Sequence, residues 1–147
     1  MAREILFRGF SKELNQWVQG DLCTGLGVAK HIMPECYCGE AIAPEYKKVM
    51  FGGWIKVESE SVGQFTGKTD KNDVKIFEGD CGHLKGGKTL MVVEWTEQGC
   101  YKVQSPKNKM HGLLFCDFES NEFEIIGNVF ENPELTGAQN AKTTSRT

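Results

Sequence analysis

The chain predicts a mainly β fold, an antiparallel meander closing into a small barrel or sandwich with at most short helical turns, and three observations carry that reading. Short apolar runs recur along most of the 147 residues, bounded by glycine, asparagine, aspartate or serine, as strands joined by tight turns require. Gly-Gly or Gln-Gly pairs separate several of these runs, and glycine supplies the positive φ that short hairpin connections demand. The third observation is the segment Val62-Gly63-Gln64-Phe65-Thr66-Gly67-Lys68-Thr69-Asp70-Lys71-Asn72-Asp73, which leads directly into Val74-Lys75-Ile76-Phe77-Glu78-Gly79-Asp80. Its glycines bracket a β-prone aromatic and a threonine, a polar cluster turns the chain, and an apolar pair follows. A meander with one buried face must close or be covered, because an open one leaves its edges and apolar face in water.

From the start of the chain, Glu4 to Phe10 alternates loosely between charged and apolar side chains, and Trp17-Val18 leads into Gly20-Asp21. These are a first strand and a second, joined by a turn over Ser11-Lys12-Glu13-Leu14-Asn15. Between Cys23 and Tyr46 the residues Gly25, Gly27, Pro34, Gly39 and Pro44 interrupt the pattern too often for a long regular element. Pro44-Glu45-Tyr46 suits the opening of a short helical turn, since proline is favoured at the first helical position.

Beyond this point come short strands in series. Val49-Met50-Phe51 and Trp54-Ile55-Lys56-Val57 flank Gly52-Gly53, and His83-Leu84-Lys85 and Thr89 to Trp95 flank Gly86-Gly87. Gln98-Gly99 separates the latter run from Cys100-Tyr101-Lys102-Val103, and Ser120-Asn121 separates Leu113 to Phe118 from Phe123-Glu124-Ile125-Ile126. Each pair reads as a hairpin. Residues 1–135 are expected to form a single β domain with an irregular connection at about 23–46. From Thr136 to the end the chain is small and polar, without the apolar residues that offset ordering entropy, so 136–147 is expected to be a flexible tail.

Net charge is −3 with the signs interspersed, so no strong field draws nucleic acid or an anionic membrane. The last third carries Asp117, Glu119, Glu122, Glu124, Glu131 and Glu134, just after a basic stretch of Lys102, Lys107 and Lys109. That asymmetry suits a protein partner or a second copy better than a phosphate backbone. Arg3, Glu4 and Arg8 interrupt the opening ten residues, so no export signal is read there, and no run reaches the roughly 20 apolar residues of a spanning helix. A cytoplasmic protein that does not enter membranes is expected. Its six cysteines, Cys23, Cys36, Cys38, Cys81, Cys100 and Cys116, are then expected as thiols rather than disulfides.

Several residues invite a chemical reading. Gly79-Asp80 and Gly20-Asp21 resemble acids on flexible loops, yet glycine before aspartate at a strand entry makes a turn whose carboxylate accepts backbone N–H groups. Cys36-Tyr37-Cys38 and Cys81-Gly82-His83 place ligand types on one strand face, but zinc knuckles use spacings of two to four residues. Buried thiols are the simpler reading. Six thiols with His31, His83 and His111 form no local nucleophile signature. Gly63-Gln64-Phe65-Thr66-Gly67 has too short a spacing for a phosphate cradle, and Lys68-Thr69 only mimics its ending. The aromatics Trp17, Trp54, Phe65, Phe77, Trp95, Phe115 and Phe130 sit beside other apolar residues, as core positions do. No catalytic residue, cofactor or metal ligand is assigned.

Arg3-Glu4-Ile5-Leu6-Phe7-Arg8-Gly9, Gln16-Trp17-Val18-Gln19-Gly20-Asp21-Leu22 and the central run resemble the YopX-like family of bacteriophage and prophage proteins. Phe123-Glu124-Ile125-Ile126-Gly127-Asn128-Val129-Phe130-Glu131-Asn132-Pro133-Glu134-Leu135 looks like that family's terminal block. The blocks span most of the chain in the family's order. The resemblance implies a small, phage-borne β protein and carries over no catalytic residue. The chain departs from the pattern at Asn72-Asp73, where the family tends to have Asn-Gly, and at Cys81-Gly82-His83, where apolar residues are usual. Aspartate tolerates the left-handed turn position, whereas the second departure should weaken its strand. The function expected is that of a non-enzymatic, self-associating interaction module whose further partner is a phage or host protein. The alternative is a small β-barrel that binds nucleic acid, suggested by phage origin, strand-borne aromatics and the lysines from Lys102 to Lys109.

Overall fold

Glycine, asparagine and aspartate set most of the corners of this chain, and the apolar alternation between them sets which face of each strand is buried. The structure, a computed structural model, describes residues 4–25, 29–34, 50–51, 53–108, 112–115 and 118–136. Cys36-Tyr37-Cys38, Pro44-Glu45-Tyr46, His111, Cys116 and the tail beyond Thr136 lie outside them. Among the described residues the fold is all-β, built from two antiparallel sheets with short 3-10 turns at Ser59–Ser61 and Ser120–Glu122 and a helical turn at Pro133–Thr136. No closed barrel is found among the described residues, and none of their helices is long and apolar enough to cross a membrane. The chain divides into two compact units, Met1–Phe65 and Thr66–Thr147.

In the first unit, β1 (Phe7–Ser11) and β2 (Gln16–Cys23) form the expected hairpin, with Phe7 opposite Gly20 and Ser11 opposite Gln16. The turn is closed by Ser11, whose buried Oγ accepts the Leu14 N–H at 3.2 Å, and Asn15 takes the left-handed position at φ 54°. β3 (Lys30–Pro34), β4 (Met50–Phe51), β5 (Trp54–Val57) and the start of β6 (Gly63–Thr69) complete the order β4-β5-β3-β2-β1-β6. The expected hairpin around Gly53 pairs Phe51 with Trp54. Val18, Ile32, Ile55 and Val57 form the core, with Phe7, Leu14, Leu22 and Val62 packed against it. Fully burying such a side chain contributes roughly 1.5–3 kcal/mol.

Gly20-Asp21 is not a turn, contrary to the expectation. Both residues lie within β2, with Asp21 exposed opposite Met33. The glycine is needed for close approach, because a Cβ there would stand 1.7 Å from the Met33 carbonyl oxygen. Downstream, the short turn Ser59–Ser61 is tied to β1. The Ser61 Oγ accepts the Phe10 N–H at 2.7 Å, while the Glu58 N–H donates to the Phe10 carbonyl at 2.9 Å.

The second unit opens with the end of β6, a turn over 70–73 and β7 (Lys75–Phe77), as the central run requires. Asp73 sits at φ 62°, so aspartate holds the left-handed position where the family tends to have glycine. A five-stranded sheet follows in the order β11-β10-β9-β8-β12, comprising β8 (Asp80–Leu84), β9 (Met91–Trp95), β10 (Tyr101–Gln104), β11 (Gly112–Leu114) and β12 (Phe123–Asn128). Ile76, Met91, Val93, Tyr101, Val103, Phe115, Phe118 and Phe123 form its core. The β9–β10 connection is short and glycine-dependent, as expected. The Gly99 N–H donates to the Thr96 carbonyl at 3.1 Å, with Gly99 at φ 82°.

Three expectations change here. Gly86-Gly87 does not close a two-residue hairpin: the last β8–β9 pair is Gly82 with Met91, and His83 and Leu84 pair instead with Glu124 and Phe123. Ser120-Asn121 does not join neighbouring strands either, since β11 and β12 are the opposite edges of the sheet. Finally, Cys81-Gly82-His83 keeps its place in a ladder on both sides, with the one register shift toward β12 falling opposite Cys81 and Gly82. Gly82 permits this, as a Cβ there would lie 2.1 Å from the Glu124 carbonyl oxygen.

The terminal block ends β12 by a bulge and an asparagine turn. Register shifts between Ile125 and Gly127, and Ile126 turns outward, 46% exposed, as an extra residue in one strand does. Asn128 then accepts the Phe130 and Glu131 N–H groups at 3.1 and 2.8 Å on its side-chain oxygen, before Pro133 opens the final helical turn.

Candidate functional site

Of the acids singled out by the sequence, Asp80 has a structural role and Asp21 is exposed. Asp80 is 2% exposed and its Oδ2 accepts the Phe77 N–H at 2.8 Å, the turn role expected of Gly79-Asp80. Asp70, unremarked in the sequence, does more. Its Oδ1 accepts the Asn72 and Val74 N–H groups at 2.9 and 3.0 Å, and its Oδ2 accepts the Ile125 N–H at 3.1 Å. Lys71 reinforces the tie, donating its N–H to the Phe123 carbonyl at 2.9 Å and pairing its ammonium with Glu124 at 2.7 Å. The turn of the central run is thus tied to the terminal block by one buried carboxylate and by both the backbone and the ammonium of Lys71.

Cys81 is fully buried, and His83 places Nδ1 3.1 Å from the Thr89 carbonyl oxygen. Cys23 and Cys100 are half-buried thiols, the latter 3.2 Å from the Thr96 hydroxyl. No group of three or more His, Cys, Asp or Glu side chains suited to a metal ion occurs among the described residues. His31 stands opposite Cys23 across β2 and β3, its buried Nδ1 without a hydrogen-bond partner among the described residues.

The aromatics divide between core and surface. Phe65, Phe77 and Phe115 are buried, as expected, whereas Trp17, Trp54 and Phe130 are half-buried and Trp95 is 50% exposed. Trp95, Tyr101, Phe115 and Phe118 form a run of ring contacts with successive centroid distances of 4.8, 5.9 and 5.1 Å. Lys68 secures the far end of it. Its ammonium donates to the Phe115 and Phe118 carbonyls and lies 4.6 Å from the Phe118 ring centre, where cation and ring attract.

The most distinctive surface is the β11 edge. Register places Leu113 in one row with Val103 and Val93, and Leu114 in the other row with Lys102 and Glu94. An apolar side chain therefore flanks the open backbone on each face of the sheet. Leu113 and Leu114 are 42% and 41% exposed, and all three β11 residues face solvent. The sequence did not show this, because a continuous run such as Leu113-Leu114-Phe115 reads as a buried strand. Only the sheet order reveals that the run ends at an edge. The basic stretch is also split, with Lys102 facing Glu94 at 3.9 Å and Lys107 lying beyond the end of β10.

Two clefts lie in the same unit. The first, about 400 Å³, brings Lys71, His83 and Lys85 together with Glu122 and Glu124, so its charges compensate one another. The second, about 430 Å³, is bounded by Lys88, Thr89 and Leu90 on one side and by Ser105, Pro106 and Lys107 on the other, and no carboxylate among the described residues lines it.

The family model described as YopX protein matches residues 6–136. The structure is similar to the crystal structure of protein EF1440 from Enterococcus faecalis, with a TM-score of 0.51 at 17% identity over 92% of this chain and 99% of that one. At that identity the likeness concerns the fold. No curated protein matches the chain significantly.

Proposed function

We propose that this chain, which belongs to the YopX family, is a phage or prophage accessory protein that acts through protein contacts rather than catalysis, first of all with copies of itself. The observation supporting this reading is β11, a strand paired on one side only among the described residues, with Leu113 and Leu114 exposed on its two faces. Natural edge strands are usually blunted by charge, proline or a covering segment, and an unprotected one is a template for another strand. Two copies of β11 meeting antiparallel about a two-fold axis satisfy open backbone groups and bury leucines on both faces. The interface is isologous and closes at two chains.

The three-residue length of β11 limits the ladder, so the association is concentration-dependent rather than permanent. Light scattering on the eluting protein across a concentration series tests it. A shift from monomer to dimer that Leu113→Lys/Leu114→Lys abolishes supports the reading, and a strict monomer at high concentration removes it. Co-eluting nucleic acid that leaves as salt rises would favour the nucleic-acid reading instead.

A further inference from the structure

We infer that the cleft between the β8–β9 connection and the segment after β10 is a binding site for a small phosphate monoester carrying a compact apolar ring. The cleft measures about 430 Å³, within the range of small-molecule pockets. Its charge is of one sign. Lys88 and Lys107 stand on its two sides, both exposed, and neither has an ion-pair partner among the described residues. In a chain of net charge −3, two lysines lining one concavity, neither ion-paired among the described residues, favour a local positive field that attracts an anion. The neighbouring cleft is the internal contrast, because there Lys71 is neutralised by Glu124 at 2.7 Å.

The local sequence builds the wall. Ser105 is 3% exposed, and its Oγ accepts the Asn108 N–H at 3.2 Å, folding Ser105-Pro106-Lys107-Asn108 into a turn that presents Lys107 at its tip. That bond uses the serine oxygen as acceptor, and the hydroxyl proton has no protein acceptor among the described residues. Thr89 supplies a second hydroxyl, and Leu90, Pro106 and Leu135 supply apolar surface. Lysine binds phosphate as a point charge, so two lysines and two hydroxyls suit a doubly charged terminal phosphate. The apolar surface suits a ring attached to it. Phosphate could also come from a nucleic-acid backbone, and the same experiment separates the two sources.

The test is an amide NMR titration of the isotope-labelled full chain with phenyl phosphate, a monophosphate ester of a compact apolar ring, with inorganic phosphate, and with an oligonucleotide lacking terminal phosphates. The monophosphate is expected to move the Lys88, Thr89, Leu90, Lys107 and Asn108 signals saturably, with inorganic phosphate binding the same signals about tenfold more weakly. Lys88→Gln/Lys107→Gln should weaken the monophosphate by more than about tenfold while leaving the remaining spectrum in place, and Lys102→Gln, outside the cleft, should change nothing. Absence of saturable shifts at about 10 mM would overturn the proposal. So would shifts unaltered in the double variant or equal affinity for inorganic phosphate. Tighter, salt-sensitive binding of the oligonucleotide would assign the lysines to a nucleic-acid backbone and equally overturn it.

Discussion

Removing the Asp70 carboxylate loosens the tie between the turn of the central run and the terminal block, and its cost can be worked from three hydrogen bonds. Asp70 is 4% exposed and accepts the N–H groups of Asn72, Val74 and Ile125. Hydrogen bonds to a charged group contribute about 1.5–3 kcal/mol each, and a buried donor left unpaired costs about 1–3 kcal/mol. Asn72 and Val74 are exposed, so water replaces the carboxylate at their amides, whereas Ile125 is half-buried. Asp70→Ala should therefore destabilise by about 3 kcal/mol, most of it from the Ile125 contact. Asp70→Asn keeps one oxygen for the turn but faces the Ile125 N–H with a second donor, so it should cost about 2 kcal/mol. Denaturant unfolding measures the loss, and amide exchange locates it, because protection should fall at Ile125 and Lys71 first. An Asp70→Ala protein within about 0.5 kcal/mol of the parent would refute the reasoning.

Two further perturbations test neighbouring parts of the second unit. Gly82→Ala forces a methyl to within 2.1 Å of the Glu124 carbonyl oxygen, so β12 must move away. Overpacking against backbone should cost about 3 kcal/mol in unfolding experiments, and an unchanged midpoint would contradict the close approach. Lys68→Met keeps apolar bulk beside Phe118 but removes both donors to the Phe115 and Phe118 carbonyls. A loss of about 2 kcal/mol is expected, with exchange broadening of the ring signals of Phe115 and Phe118 as its local signature.

Local chemistry was legible in the sequence and long-range pairing was not. The β1–β2 turn, the β6–β7 turn with aspartate at φ 62° and the Gly99 connection are each specified within five or six residues, and each was read correctly. The errors share one cause. Gly86-Gly87 and Ser120-Asn121 look like hairpin centres because their flanks are apolar, but the flanking residues pair elsewhere: Leu84 finds Phe123. Nothing near Gly82 announces that the Glu124 carbonyl will pass beside it. The edge site was hidden for the same reason, since exposure of Leu113 and Leu114 follows from the position of β11 in the sheet order rather than from their neighbours in sequence. Asp70 was missed because its defining partner, Ile125, is 55 residues away.

The central functional claim is association through β11, and the most direct measurement is light scattering on the parent chain and on Leu113→Lys/Leu114→Lys across the same concentration series. If burying the exposed part of each leucine contributes roughly 1 kcal/mol, the four leucines of a two-fold pair set the scale of the change. The double variant should weaken association by at least about a hundredfold, leaving a monomer wherever the parent is dimeric. A parent that stays monomeric throughout, or a variant that dimerises as the parent does, would contradict the assignment of β11 as the contact.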